Sequence, residues 1–158
     1  MEQNQTDLLT ESVLQINTQK RKKLIPWWIR IFIWIFLFFG VVAPLGLIFG
    51  ILGYKFQLSI YGLQTNEPIS LIGMSIIVIF LFKGITSYSL LKQKVWAVTL
   101  GIIDAIIGIL ICSFIMIYPF INSDSGLNST FSIEVLLLIP YLLKMVKIKT
   151  DWEQAIDI

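Results

Sequence analysis

Two ionisable residues of opposite sign, Lys83 and Asp104, stand inside long apolar stretches of this chain, at positions that a tight helical hairpin brings face to face. Lys83 lies ten residues before Gln93 and Asp104 eleven after it, so antiparallel helices turning near Gln93 hold them at one depth. At about 1.5 Å of rise per residue, that depth is roughly 10 to 15 Å from the nearer membrane surface. An unpaired Lys or Asp near the centre of a bilayer costs roughly 2.5 to 3.5 kcal/mol even on the lenient insertion scale, and pairing is the simplest remedy. Two other arrangements compete with it. Lys83 can run its charged head toward the headgroups along its own stem, or Asp104 can be protonated and hydrogen-bonded to Thr86 or Ser87. A buried pair can fix the register of a hairpin or mark a proton or ion path. The first use is favoured here, because only Thr86, Ser87, Tyr88 and Ser89 extend the polarity, and they do so toward the inner side. Glu134 is read as a carboxylate in the first turn of the last apolar stretch, complementing the helix dipole near the outer surface.

Other chemistry is thinly represented. The chain has no His, which removes the commonest general base and the commonest metal ligand. Its single cysteine, Cys112, lies within an apolar stretch and forms no intrachain disulfide. No nucleophile with an adjacent base and no paired carboxylates are visible, so neither an enzyme nor a cofactor site is expected. A net charge of +2 with segregated basic residues argues against nucleic acid.

The elements that must position the pair are four apolar stretches, at about 27–53, 69–91, 95–121 and 131–146. A spanning helix needs about 20 apolar residues, which three of the four exceed. With 56% hydrophobic and 14% charged positions in 158 residues, a water-soluble fold would lack the polar surface to cover itself. The expectation is an all-α membrane protein: a four-transmembrane-helix bundle over 25–148, with tails at 1–24 and 149–158. The polar residues before the first stretch, and its length, make it a retained span rather than a cleaved signal. Lys20, Arg21, Lys22, Lys23 and Arg30, then Lys92 and Lys94, then Lys144, Lys147 and Lys149 fall on one side of such a bundle. The other side carries Lys55, Glu67 and Asp124. The positive-inside rule then places both termini in the cytoplasm. Trp27, Trp28, Trp96 and Trp152 are expected at the inner headgroups, and Tyr54, Tyr61 and Tyr118 at the outer boundary.

The connections and tails are short. In the outer segment 54–68, Phe56, Leu58 and Ile60 alternate with Gln57, Ser59 and Tyr61, a strand period; an ordered loop with its apolar face in the interface is expected. The second outer loop reads as a turn, and its Asn128-Ser129-Thr130 is a weak sequon match close to the membrane. Leu9, Val13 and Ile16 after Asp7, and Thr150 with Glu153 ahead of Trp152, suggest small interfacial helices in the two tails.

Packing is written in small residues. Ala97, Gly101, Asp104, Gly108 and Cys112 share one helical face, and Gly40, Ala43, Gly46, Gly50 and Gly53 form a similar stripe, with Gly46 and Gly50 at GxxxG spacing. Bulky replacements at Gly101 and Gly108 are expected to push the second and third spans apart. Pro44 and Pro140 interrupt the first and fourth.

The run Phe82-Lys83-Gly84-Ile85, Leu90-Leu91, Trp96-Ala97 and Leu100 to Gly108 resembles a hairpin of uncharacterised small bacterial inner-membrane proteins of Bacteroidetes type. It covers somewhat under half the chain. The resemblance implies four spans and a bacterial inner membrane, and implies no activity. Two classes of function follow: a non-enzymatic scaffold, assembly or regulatory module, which is preferred, or an oligomeric transporter or channel subunit using Lys83 and Asp104. The expected partners are the lipid bilayer and a second copy or another membrane protein.

Overall fold

The computed structural model describes residues 17–121 and 133–155. Among them lie α1 (17–24), α2 (Trp27–Ile51), β1 (Leu58–Ile60), β2 (Leu63–Thr65), α3 (Leu71–Leu91), α4 (Ala97–Ile121) and α5 (Ile133–Gln154). Three helices, α2, α3 and α4 over Ala97–Ile117, are long and apolar enough to cross a membrane. Their outer faces leave Trp34, Phe38, Val41, Val78, Leu110 and Phe114 exposed, an apolar surface that suits lipid and not water. The chain is a mostly helical membrane protein.

The last apolar stretch behaves differently from the other three. α5 runs unbroken through Gln154 and so includes Lys144, Lys147, Lys149, Asp151 and Glu153. Only its first half is apolar. Thr150 and Glu153 therefore cap no separate helix, because the segment before them never leaves helical geometry. The pattern at Leu9, Val13 and Ile16, the turn at Asp124 and the sequon at Asn128 lie outside the described residues.

Local chemistry sets the ends of the helices. α2 starts directly after Pro26, whose extended backbone suits the residue before a first turn. It ends in a Schellman arrangement: Gly53, at φ +85°, donates to the Gly50 carbonyl while Tyr54 donates to that of Phe49. Gly53 thus terminates the helix rather than extending the small-residue stripe. α3 is capped by Ser70, whose Oγ accepts from the Gly73 amide at 3.1 Å. Its far end repeats the Schellman pattern with Gln93 at φ +48°, and this tight closure sets the α3–α4 hairpin.

Packing follows the small residues, with partners the stripe alone did not identify. α2 lies against α3 where Gly40 meets Gly84 backbone to backbone; a Cβ added at Gly40 would come within 2.5 Å of the Gly84 Cα. Gly46 and Gly50, the GxxxG pair, face Phe56 and Pro68 of the outer segment rather than a helix. On α4, Gly101 faces Tyr141 and Met145 of α5, and Gly108 faces Tyr61 and Leu138. A Cβ added at Gly101 would press on α5, and one at Gly108 on Tyr61 and α5, so the nearest neighbours of both are elements other than α3. Ala97 and Cys112 are fully buried on the same helix.

These contacts make Gly40 a sharper test than the GxxxG pair. Gly40→Val is expected to cost about 1–3 kcal/mol, the usual range for overpacking, because backbone is what it strikes. Gly46→Val should cost less, since the Phe56 ring can turn away. Unfolding in mixed detergent micelles measures both, and equal effects would mean that α2 and α3 do not touch at Gly40.

Candidate functional site

The outer segment folds back on itself. β1 and β2 pair antiparallel, with Ser59 opposite Gln64 and Ile60 opposite Leu63, so the two-residue turn is Tyr61-Gly62. Both turn residues have positive φ, +55° and +85°, the type I′ geometry that matches strand twist. Gly62 adopts it freely. For Tyr61 it carries strain, offset by what the side chain does: Tyr61 is only 3% exposed and enters the space between the helices. Strand alternation groups it with the polar Gln57 and Ser59, and the aromatic pattern puts it at the outer boundary. The turn reverses that assignment by redirecting its side chain inward.

Tyr61 meets a charge there. Lys83 Nζ of α3 donates to Asp104 Oδ2 of α4 at 2.8 Å, and both residues are buried. The ammonium also sits 4.4 Å from the Phe36 ring centroid and 5.0 Å from that of Tyr61. One cation is thus held by a carboxylate and two aromatic faces, contributed by α2, the hairpin, α3 and α4. Cation–π attraction reaches about 2 kcal/mol or more when desolvated, so each ring is a substantial partner. Lys83 at 2% exposure does not reach a surface along its stem. Thr86 Oγ1 is buried with no partner among the described residues, so it does not bond Asp104.

Beside the pair lies a cavity of about 100 Å³, walled by Phe32 and Phe36, the hairpin tip, Lys83, Asp104 and the first turns of α5 from Glu134 to Tyr141. Two buried oxygens here, Tyr61 Oη and Glu134 Oε2, have no hydrogen-bond partner among the described residues. Orphaned buried polar atoms are uncommon in native proteins. No group of three His, Cys, Asp or Glu capable of holding a metal occurs among the described residues.

A second polar cluster ties down the opposite end. Arg21 of α1 is buried; its Nε donates to the Trp152 carbonyl at 3.1 Å and its Nη1 to the Gln93 carbonyl at 2.9 Å. Trp152 Nε1 donates to the Lys94 carbonyl at 2.9 Å, and Arg21 stacks 5.6 Å from the Trp152 ring centroid. Burial lowers the Arg21 pKa from its ordinary value, but a guanidinium stays charged. Trp152, expected at the headgroups, is fully buried with Ile29, Ile33, Leu90, Val98 and Met145. Trp27 and Trp96 are exposed, as is Tyr54; the Tyr118 side chain lies outside the described set.

Sequence reasoning paired Lys83 with Asp104 by depth but missed Phe36, Tyr61 and Tyr141 around them. The available signal was the Tyr61-Gly62 step between two short alternating runs. For Arg21 and Trp152 there was none, because a basic residue and an aromatic beside a span are ordinary headgroup residues. Compared with protein-family models, characterised proteins and solved structures, the chain shows no match.

Proposed function

We propose that this protein is a non-enzymatic membrane module, a scaffold, assembly or regulatory component acting through its lipid-embedded faces and its tails. In this reading α5 inserts its apolar half and completes a four-transmembrane-helix bundle, with both termini on the cytoplasmic side of a bacterial inner membrane. The distribution of Lys and Arg supports that orientation. The observation that carries the functional reading is the enclosure of Lys83. A cation bonded to Asp104 and covered by Phe36 and Tyr61 is committed to holding four elements together, which is work for a structural pin.

A second reading, an oligomeric transporter or channel subunit, draws on the cavity beside the pair. The two part under reconstitution. Liposomes carrying the protein are expected to show no flux of protons, sodium, potassium or chloride above empty liposomes. Flux that vanishes in the Lys83→Met, Asp104→Asn double variant would establish the second reading and sink the first. Topology is tested separately: reporter fusions at both tails should report the cytoplasm and fusions within 54–68 the exterior. A tail reporting outside would overturn the orientation.

A further inference from the structure

We infer that the cavity between the Lys83–Asp104 pair and Glu134 is a binding site for a small organic monocation, a primary or quaternary ammonium with a short apolar body. Charge comes first. Lys83 and Asp104 neutralise each other at 2.8 Å, whereas Glu134 Oε2 is buried with neither a cation nor a hydrogen-bond donor among the described residues. A cavity lined by one unmatched carboxyl group suits a single positive charge, because a cation placed beside that group favours its ionised form.

The walls select the kind of cation. Most of the surface is aromatic or aliphatic, from Phe32, Phe36, Tyr61, Leu137, Leu138 and Tyr141. An alkali ion gives up its water only for a shell of oxygens, and divalent ions need still more carboxylate. An alkylammonium needs one carboxylate and aromatic faces. Tyr61 presses its hydroxyl against Gly108 of α4, so what it offers this cavity is its ring. The way Phe36 and Tyr61 flank the Lys83 ammonium shows that these walls already accept such a group. Size agrees: at ~30 Å³ per water in the liquid, 100 Å³ has room for about three water-sized groups, enough for a short alkylammonium. This site requires neither flux nor catalysis and is independent of the structural-pin reading.

The test is thermal unfolding of the full chain in a fixed detergent, titrated separately with n-butylammonium, tetramethylammonium and sodium chloride. At least one of the two ammonium salts should raise the midpoint saturably, and sodium chloride should not. Glu134→Gln should weaken that binding about tenfold to a hundredfold, as expected for losing a charged partner. Glu67→Gln, at an exposed residue paired with Lys55, should leave it unchanged. Should Glu134→Gln fold poorly, Leu137→Trp fills the cavity from its half-exposed side and should abolish the shift. The proposal fails if neither ammonium shifts the midpoint saturably, if sodium chloride gives the same shift, or if both Glu134→Gln and Leu137→Trp bind like the parent. A response to pH alone, without ammonium binding, would make Glu134 a proton site and also overturn it.

Discussion

Replacing Lys83 with Met while Asp104 remains is expected to destabilise the protein by about 3–5 kcal/mol, and Asp104→Asn with Lys83 in place should cost a comparable amount. In each case one buried charge loses the partner that stands 2.8 Å away. For the isolated Lys83, Phe36 and Tyr61 still provide some compensation; the isolated Asp104 has no comparable aromatic support. Met in place of Lys83 should therefore be the costlier single change. The double variant removes both desolvation penalties and fills similar volume, so it should recover most of the loss. All four members of the cycle can be measured by unfolding in mixed detergent micelles. Additive losses would mean that the two residues are not coupled. Expression of the same four in a strain lacking the gene adds the functional arm. A double variant that folds and still fails to restore the strain would contradict a purely structural pair.

Trp152→Ala is expected to cost about 3–5 kcal/mol, a loss usual for a large aromatic taken from a packed core. Trp152 is fully buried, and its ring and N–H join α5 to α1 and to the α3–α4 turn through Arg21 and Lys94. Trp152→Phe keeps much of the packing and leaves the Lys94 carbonyl with its bond from the Ala97 amide alone, so a smaller loss of about 0.5–1.5 kcal/mol is expected. Limited proteolysis near the last turns of α5 should accelerate in the Ala variant before global unfolding does. If Trp152→Ala costs under about 1 kcal/mol, in the range of a surface substitution, the end of α5 is not docked as described.

Much of this architecture is a property of the chain itself. Runs of apolar residues of sufficient length make α2, α3 and α4, and Gly53 and Ser70 mark helix ends by conformational and hydrogen-bonding preferences that act within a few residues. The near-equal spacing of Lys83 and Asp104 about Gln93 is also local information, because a short turn fixes which residues of a helical hairpin share a depth. The tertiary structure alone decided which apolar face meets which neighbour. Lipid tails are as apolar as a protein core, so a helix in such a fold shows little contrast between its buried and exposed sides, and the amphipathic signal that orients helices in water is weak. Gly101 and Gly108 mark a close approach without naming Tyr141 and Tyr61 as what approaches. Tyr61 and Trp152 show the same limit: an aromatic near the end of a span is equally at home among headgroups or in a core. Only the hairpin turn that aims Tyr61 inward and the continuous α5 that carries Trp152 to Arg21 settled which they chose.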